Sequence, residues 1–257
     1  MAVSSATPAI PGETSTPALT GASPMVAGIL ASCALAHLIN DLIQSVLPSI
    51  YPMLKDSYGL TFTQIGLITL AFQITASLLQ PWIGFHTDRH PKPYLLPAGM
   101  VCTLIGVLLL AFVGSFPAIL AASALIGVGS STFHPETSRV ARLASGGRFG
   151  LAQSTFQVGG NAGTAIGPLL AAAIVIPYGQ THVAWFALFA LFAIGVQYGL
   201  SRWYRNHLRN AKGRKAAAVS HGLSRGRVTF ALIVLALLVN VVLAWLQGAG
   251  NYRREAA

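Results

Sequence analysis

The sequence is poor in charged residues, and above all in acidic ones. Only 9% of its 257 residues are Asp, Glu, Lys or Arg, while 54% are hydrophobic. A soluble domain carries about 25% charged residues, so an ordinary soluble globular protein is excluded. The high hydrophobicity also excludes an intrinsically disordered chain. Sixteen lysines and arginines outnumber six acidic residues, an excess that would suit either nucleic acid or anionic lipid.

Cysteines are few and catalytic motifs are missing. Cys33 and Cys102 both fall in apolar stretches, so they define neither a disulfide framework nor a metal site. The sequence has no G-x-S-x-G, H-E-x-x-H or C-x-x-C motif and no phosphate-binding G-x-x-x-x-G-K-[ST] loop. We therefore expect no enzyme, no metal and no cofactor. Any transport would be driven by an ion gradient rather than by ATP.

What the sequence does contain is a series of seven apolar runs, preceded by a Ser/Thr/Pro/Ala tail over residues 1–24. Each run approaches the roughly 20 residues that a helix needs to cross about 30 Å of hydrocarbon. The runs are 25–47, 64–85, 94–114, 117–134, 150–175, 182–203 and 228–246. This pattern predicts an all-α membrane protein with a disordered tail at 1–24, a six-helix bundle at 25–203, a basic linker at 204–227 and a seventh helix within 228–257.

The basic residues fall on one side of the predicted membrane. Thirteen of the sixteen lie between runs two and three, between runs four and five, or from Arg202 to Arg227. The positive-inside rule places that side, and the N-terminus with it, in the cytoplasm. The basic charge thus marks topology in a cell (inner) membrane. We expect the lipid bilayer as a partner, and no nucleic acid.

The stretch between runs two and three carries a recognisable motif. It reads Gly84-Phe-His-Thr-Asp88-Arg89-His-Pro-Lys92 and resembles the G-x-x-x-D-R-x-x-[RK] signature of the major facilitator superfamily. In this loop the glycine permits close helix approach, and the charged residues can exchange ion pairs as two bundles rock. We therefore assign Gly84, Asp88, Arg89 and Lys92 to a gating loop, the alternative being an ordinary charged loop.

Further motifs narrow the resemblance. Gly163-x-x-x-Gly167-Pro168 resembles a packing motif of proton-coupled drug exporters, although small residues four apart also serve plain helix packing. Segments around His37 to Gln44, Gly129 to Glu136 and Ser145 to Gln153 are similar to the fosmidomycin-resistance branch of efflux permeases. One departure is that run 117–134 contains no arginine, which many exporters carry there.

The resemblance implies a fold of twelve helices in two halves, of which this chain supplies the six-helix N-terminal half plus a seventh helix. Twelve helices need about 240 residues before any loop is counted. We therefore expect a truncated product, with a separate C-terminal half as a partner.

Polar residues within the runs are the candidate functional residues. Asp41 is the one acidic residue inside the runs, where a carboxylate costs about 2.5–3.5 kcal/mol and is usually functional. At helical spacing His37, Asn40 and Gln44 share its face. We interpret this stripe as a site of proton coupling or substrate contact, the alternative being a hydrogen-bonded packing network.

Other polar residues extend the predicted substrate path. In run five Gln153, Gln157 and Asn161 recur every four residues, and in run two Gln73 and Gln80 lie seven apart and nearly in phase. Hydrogen bonds between helices are an equal alternative for these amides. His134 and Glu136, which we place at the cytoplasmic end of run four beside Arg139, form either an inner gate or an ion pair.

The sequence thus predicts a proton-coupled exporter of small drug-like molecules, with the proton gradient as energy source. A nutrient permease for sugars or organic anions on the same scaffold, and a non-transporting membrane fragment, are the alternatives.

Overall fold

The computed structural model describes residues 24–211 and the separate residues Phe230, Ile233 and Val234. Nearly all of the predicted tail (1–24), the linker beyond 211 and most of the predicted seventh helix lie outside the described residues. Within the described part the regular structure is helical throughout.

Within residues 24–211 seven helices follow one another, and all but the second are long and apolar enough to cross a membrane. They are α1 (Ala27–Ser49), α2 (Tyr51–Tyr58), α3 (Phe62–Arg89), α4 (Leu95–Phe112), α5 (Phe116–Ala144), α6 (Phe149–Tyr178) and α7 (Gln180–Asn210). The prediction of an all-α membrane protein is confirmed by this architecture, and the six long helices overlap the first six apolar runs.

The ends of two helices differ from the apolar runs. Helix α5 continues ten residues beyond position 134, and α7 continues beyond 203 into the predicted linker. Polar residues ended the fourth run, yet the helix persists because Glu136 and Arg139 pair with each other there. A helix can continue past the end of its apolar pattern where its polar side chains find partners.

Local signals set the turn between α2 and α3. Gly59 has a φ of 60° and stops α2, a left-handed conformation that glycine adopts at little cost. Thr61 then caps α3: its hydroxyl accepts from the Gln64 backbone N–H at 3.2 Å, and the side-chain Oε1 of Gln64 accepts from the Thr61 backbone N–H at 2.8 Å. This capping box satisfies two helix-end donors.

Helix α1 lies against α5, α6 and α7. Its contact with α6 is close because α6 presents glycines. A Cβ at Gly163 would collide with the Leu38 carbonyl oxygen, and one at Gly159 with the Ala34 carbonyl oxygen. The backbones of these two helices therefore touch without intervening side chains, as in small-xxx-small packing.

The long helices α3 and α6 are the least buried of the six, and each contains a π-helical turn, Ile74–Leu78 in α3 and Ala171–Val175 in α6. A π turn holds more residues than an α turn, so the faces before and after it are rotated against each other. Of the two cysteines, Cys33 is fully buried and Cys102 is half-buried.

Candidate functional site

Asp41 lies between two histidines that come from different helices. Its Oδ2 is 3.2 Å from Nε2 of His37, one turn earlier on α1, and its Oδ1 is 3.6 Å from Nε2 of His134 on α5. One ligand atom from each of the three residues, a ring nitrogen or a carboxylate oxygen, lies within 4.8 Å of the other two. At this spacing the three side chains can share a proton or hold a small cation, and the absence of a metal stays a prediction.

Both imidazole rings are fixed by backbone carbonyls. The Nδ1 atom of His37 is 2.8 Å from the carbonyl oxygen of Phe156, and Nδ1 of His134 is 3.2 Å from that of Ser130. A carbonyl oxygen only accepts hydrogen bonds, so each ring donates from Nδ1. The Nε2 atoms that face Asp41 therefore carry lone pairs when the rings are neutral.

This arrangement brings three proton acceptors together. When the Nε2 atoms and the carboxylate carry no proton, lone pairs face lone pairs, and at least one proton between them turns that opposition into a hydrogen bond. Asn40 supplies one donor, from Nδ2 to Oδ1 of Asp41 at 3.0 Å. His37 is 2% exposed, whereas Asp41 and His134 are 19% and 29% exposed. The exposed sides of the cluster are therefore Asp41 and His134.

Helix α6 closes the other side of this cluster. The Phe156 ring stacks on His37 with the ring centroids 4.0 Å apart. One turn further along, a Cβ on Gly160 would lie 2.5 Å from Nε2 of His37 and 2.9 Å from Oδ2 of Asp41. Only a glycine lets α6 approach the cluster this closely.

The amides predicted to line a path fall into separate places. Gln44 contacts the Asp41 cluster indirectly, since its Oε1 accepts from the Ser130 hydroxyl at 3.0 Å. On the exposed face of α6, Gln157 donates to Asn161 at 3.2 Å, and Gln153 accepts from Ser138 of α5 at 3.2 Å.

The two glutamines of α3 do not share a face as their spacing suggested. Gln73 is exposed and Gln80 is half-buried. The π turn Ile74–Leu78 lies between them and rotates one against the other, which corrects the prediction that they are nearly in phase.

Glu136 belongs to a second cluster, apart from His134. Arg139 donates to Oε1 of Glu136 at 2.6 Å and to Oδ1 of Asp88 at 2.5 Å. Glu136 is fully buried, whereas Asp88 is 62% exposed. His134 and Glu136 point to different sides of α5: His134 contacts Asp41 of α1, whereas Glu136 pairs with Arg139.

The remaining motif residues support these clusters by packing. A Cβ on Gly84 would sit 3.6 Å from Pro135, so α3 runs close to α5 there. Arg89 lies over the Phe85 ring, 4.0 Å from its centroid, and Lys92 is exposed. Gly163 and Gly167 face α1, whereas Pro168 is exposed within α6.

Sequence reasoning missed the residues that hold the histidines in place. Phe156 and Ser130 act through backbone carbonyls, which carry no signal in side-chain identity. Gly160 stands in a glycine-rich stretch, Gly159 to Gly167, but the pattern alone does not tell which glycine faces a functional side chain.

Comparison with known proteins agrees with the fold and with the motifs. The Major Facilitator Superfamily matches residues 33–252. The chain is 56% identical over 212 residues to the fosmidomycin resistance protein of Escherichia coli (strain K12), covering 82% of this chain and 52% of that protein. It is 43% identical over 194 residues to the uncharacterized MFS-type transporter YfnC of Bacillus subtilis (strain 168), covering 74% of this chain and 47% of that protein.

Solved structures show the same fold at low sequence identity. A crystal structure of the peptide transporter POT in complex with alafosfalin superposes with a TM-score of 0.58 at 18% identity, over 84% of this chain and 46% of that chain. The chain thus spans about half the length of the relatives that it matches. A family match over most of the sequence, together with six long apolar helices, shows that the chain is a multi-pass membrane protein that belongs to the major facilitator superfamily.

Proposed function

We propose that this chain works in the proton-coupled efflux of small drug-like molecules, with a phosphonate antibiotic of the fosmidomycin type as substrate. The substrate class is supported by the fosmidomycin resistance protein that shares 56% of its residues over the matched region. Proton coupling is supported by one observation, the enclosure of Asp41 between two imidazole rings with both Nε2 atoms turned towards it.

The proposed coupling uses the proton that this cluster shares. A proton held in the cluster forms a hydrogen bond between the carboxylate and one Nε2 atom at a time, whereas loss of that proton leaves an anion beside lone pairs. The two states favour different positions of α1 against α5. A transporter can use such a two-state element to link proton movement to the opening of one side of the membrane.

The proposed substrate path runs along the exposed amides of α6. Gln157 and Asn161 flank the turn that carries Gly160, which touches the proton site. Neutral amides bind polar groups of a substrate without the cost of placing a charge in the bilayer. A movement of α6 caused by substrate would therefore change the surroundings of His37 directly.

Transport by this mechanism needs a second helical bundle. In the superfamily two halves rock around a site at their interface, and the least buried helices here, α3 and α6, offer the faces for it. We propose that a C-terminal half is the partner, with the proton gradient as the energy source and no cofactor. We place the protein in the inner membrane with its N-terminus in the cytoplasm.

A resistance assay tests this function. Escherichia coli cells without their own fosmidomycin resistance protein would express this chain, either alone or with the unmatched part of that protein as a separate chain. We expect the inhibitory fosmidomycin concentration to rise in at least one of these two strains, with the chain alone or with the chain and its added partner. In that strain Asp41→Asn should return the inhibitory concentration to background. Asp56→Asn is the matched control, because this exposed acid on α2 lies away from the site. The proposal would be overturned if neither strain became more resistant than cells without the chain, although the chain was present in the membrane.

An anion permease is the second candidate. The chain is 24% identical over 155 residues to the probable nitrate transporter NarT of Staphylococcus carnosus (strain TM300). In proteoliposomes with a proton gradient, movement of nitrate or an organic anion in the same direction as the protons would favour the anion permease. Substrate movement in the opposite direction to the protons would favour the exporter. Movement of neither would indicate a non-transporting membrane fragment.

A further inference from the structure

The C-terminal part of α7 carries one aromatic residue and three arginines on a single face. Tyr198, Arg202, Arg205 and Arg209 follow a 4-3-4 spacing that keeps them within about 60° of one another on a helix. All four are exposed. The opposite face of the same segment, including Leu200 and Tyr204, is buried in the bundle.

This face lies at the membrane boundary. Tyr94 directly precedes α4, and its ring centroid is 5.9 Å from that of Tyr198, so the two rings lie at the same depth. The Ser201 hydroxyl donates to the carbonyl oxygen of Pro93 at 2.7 Å and fixes α7 against the start of α4. Tyrosines are enriched at the level of lipid headgroups.

The arginines follow Tyr198 towards the C-terminal end of α7. At 1.5 Å per residue, Arg202 and Arg205 lie about 6 Å and about 10 Å beyond Tyr198 along the helix. The guanidinium of Arg205 lies over the Tyr94 ring, 5.4 Å from its centroid, a cation–π contact that holds this charge beside the membrane surface. On the apolar side of Tyr198, the exposed Leu191 continues the same face.

No carboxylate that the structure describes neutralises these arginines. Asp41 pairs with histidines, and Asp88 and Glu136 pair with Arg139. Asp56 lies on α2. Five spans, α3 to α7, separate it from the C-terminal end of α7, and this odd number of crossings puts it at the opposite end of the bundle. The surface thus offers guanidinium donors, two aromatic rings and an apolar strip in the order in which a phospholipid presents phosphate, glycerol ester and acyl chain.

We propose that this surface, the arginine stripe formed by Tyr94, Tyr198, Arg202 and Arg205, is a binding site for an anionic phospholipid. The phosphate oxygens accept hydrogen bonds from Arg202 and Arg205, the two tyrosine rings pack beside the ester region, and the acyl chain follows Leu191. Arginine suits this role because its planar fork binds phosphate in a bidentate manner. The site lies on the outer side of α7 and does not depend on the proposed transport activity.

Native mass spectrometry of the purified full chain in detergent tests the site. Phosphatidylglycerol and phosphatidylcholine with the same acyl chains would be added in a titration. We expect bound phosphatidylglycerol at concentrations where phosphatidylcholine does not bind. Arg202→Gln with Arg205→Gln should weaken phosphatidylglycerol binding by about fivefold for each arginine. Tyr94→Leu should weaken it as well, whereas Tyr94→Phe should retain most of it. Arg205→Lys should retain less, because lysine keeps the charge but lacks the bidentate fork.

The matched control is Arg142→Gln with Arg148→Gln, which removes two positive charges elsewhere on the chain. An equal loss of lipid in this control would overturn the proposal, because the binding would then reflect overall charge. Equal binding of phosphatidylcholine would overturn it too. So would displacement of the lipid by inorganic phosphate at equal concentration, which would indicate a site for the free anion. Circular dichroism of each variant verifies that its helices are intact.

Discussion

Phe156 holds His37 at two points. Its ring stacks on the imidazole at 4.0 Å between centroids, and its carbonyl oxygen lies 2.8 Å from Nδ1. Because both contacts come from one residue of α6, the orientation of His37 on α1 depends on the position of α6. His37 is therefore held in place by α6, the same helix that carries the exposed amides.

The first prediction concerns the proton on His37. The Phe156 carbonyl can only accept, so neutral His37 should carry its proton on Nδ1 and leave Nε2 without one. Nitrogen-15 NMR of histidine-labelled protein distinguishes the two tautomers, and a His37→Gln variant assigns the signal. A neutral His37 protonated on Nε2 would show that the contact with Phe156 is not a hydrogen bond.

The second prediction concerns the glycines of α6. Gly163→Ala should destabilise the bundle by about 1–3 kcal/mol, because the new methyl group would meet backbone atoms of Leu38 and Leu42. A backbone cannot turn aside as a side chain can. Thermal unfolding in detergent measures the effect.

The matched control for this prediction is Gly195→Ala on α7, where a Cβ has nothing within 4 Å. It should leave stability unchanged or raise it by up to about 1 kcal/mol through helix propensity. Equal effects of the two substitutions would contradict close packing of α1 on α6.

The third prediction separates the two halves of the Arg139 cluster. Arg139→Gln leaves Glu136 fully buried without its ion-pair partner, which costs about 3–5 kcal/mol. Asp88→Asn should cost less than about 1 kcal/mol, because Asp88 is 62% exposed and its pair is screened by water.

Unfolding of the single and double variants tests this difference. In the Arg139→Gln background, Glu136→Gln should recover part of the lost stability, because it removes the uncompensated charge. A double variant less stable than Arg139→Gln alone would count against an ionised Glu136.

The fourth prediction distinguishes substrate contact from structural support on α6. Gln157 is exposed and bonds to the neighbouring exposed Asn161, so Gln157→Ala should change stability by no more than about 0.5 kcal/mol. If the amides line the substrate path, the same substitution should lower fosmidomycin resistance while the chain stays in the membrane at its normal level. Unchanged resistance would remove Gln157 from the path.

The sequence predicts the parts of this protein that depend on one helix at a time. Run length and composition are enough for six membrane-crossing helices, and i, i+4 spacing is enough to pair His37 with Asp41 on α1. His134 could not be placed in this way, because its contact with Asp41 depends on the register of α5 against α1. That register is set by close contacts between helices, such as the one at Gly160, which have no periodicity of their own.

The differences in helix ends have a related cause. Hydropathy ends a span at the first polar residues, but Glu136 and Arg139 neutralise each other within α5, so the helix continues to Ala144. Likewise, the seven-residue spacing of Gln73 and Gln80 assumes an uninterrupted α-helix. The π turn between them cannot be recognised from the residue types, so the prediction that the two glutamines share a face was wrong.

The burial of the two thiols makes the chain a convenient host for site-directed labelling. Cys33 is enclosed by the bundle, and Cys102 is half-buried in a span, where no water supports the thiolate that maleimides attack. The unmodified chain should therefore give almost no background with a membrane-impermeant maleimide. In intact cells, a cysteine at Lys55 should react with this reagent, whereas one at Asn206 should react only after the cells are opened, and this pattern would report directly which way the helices cross the membrane.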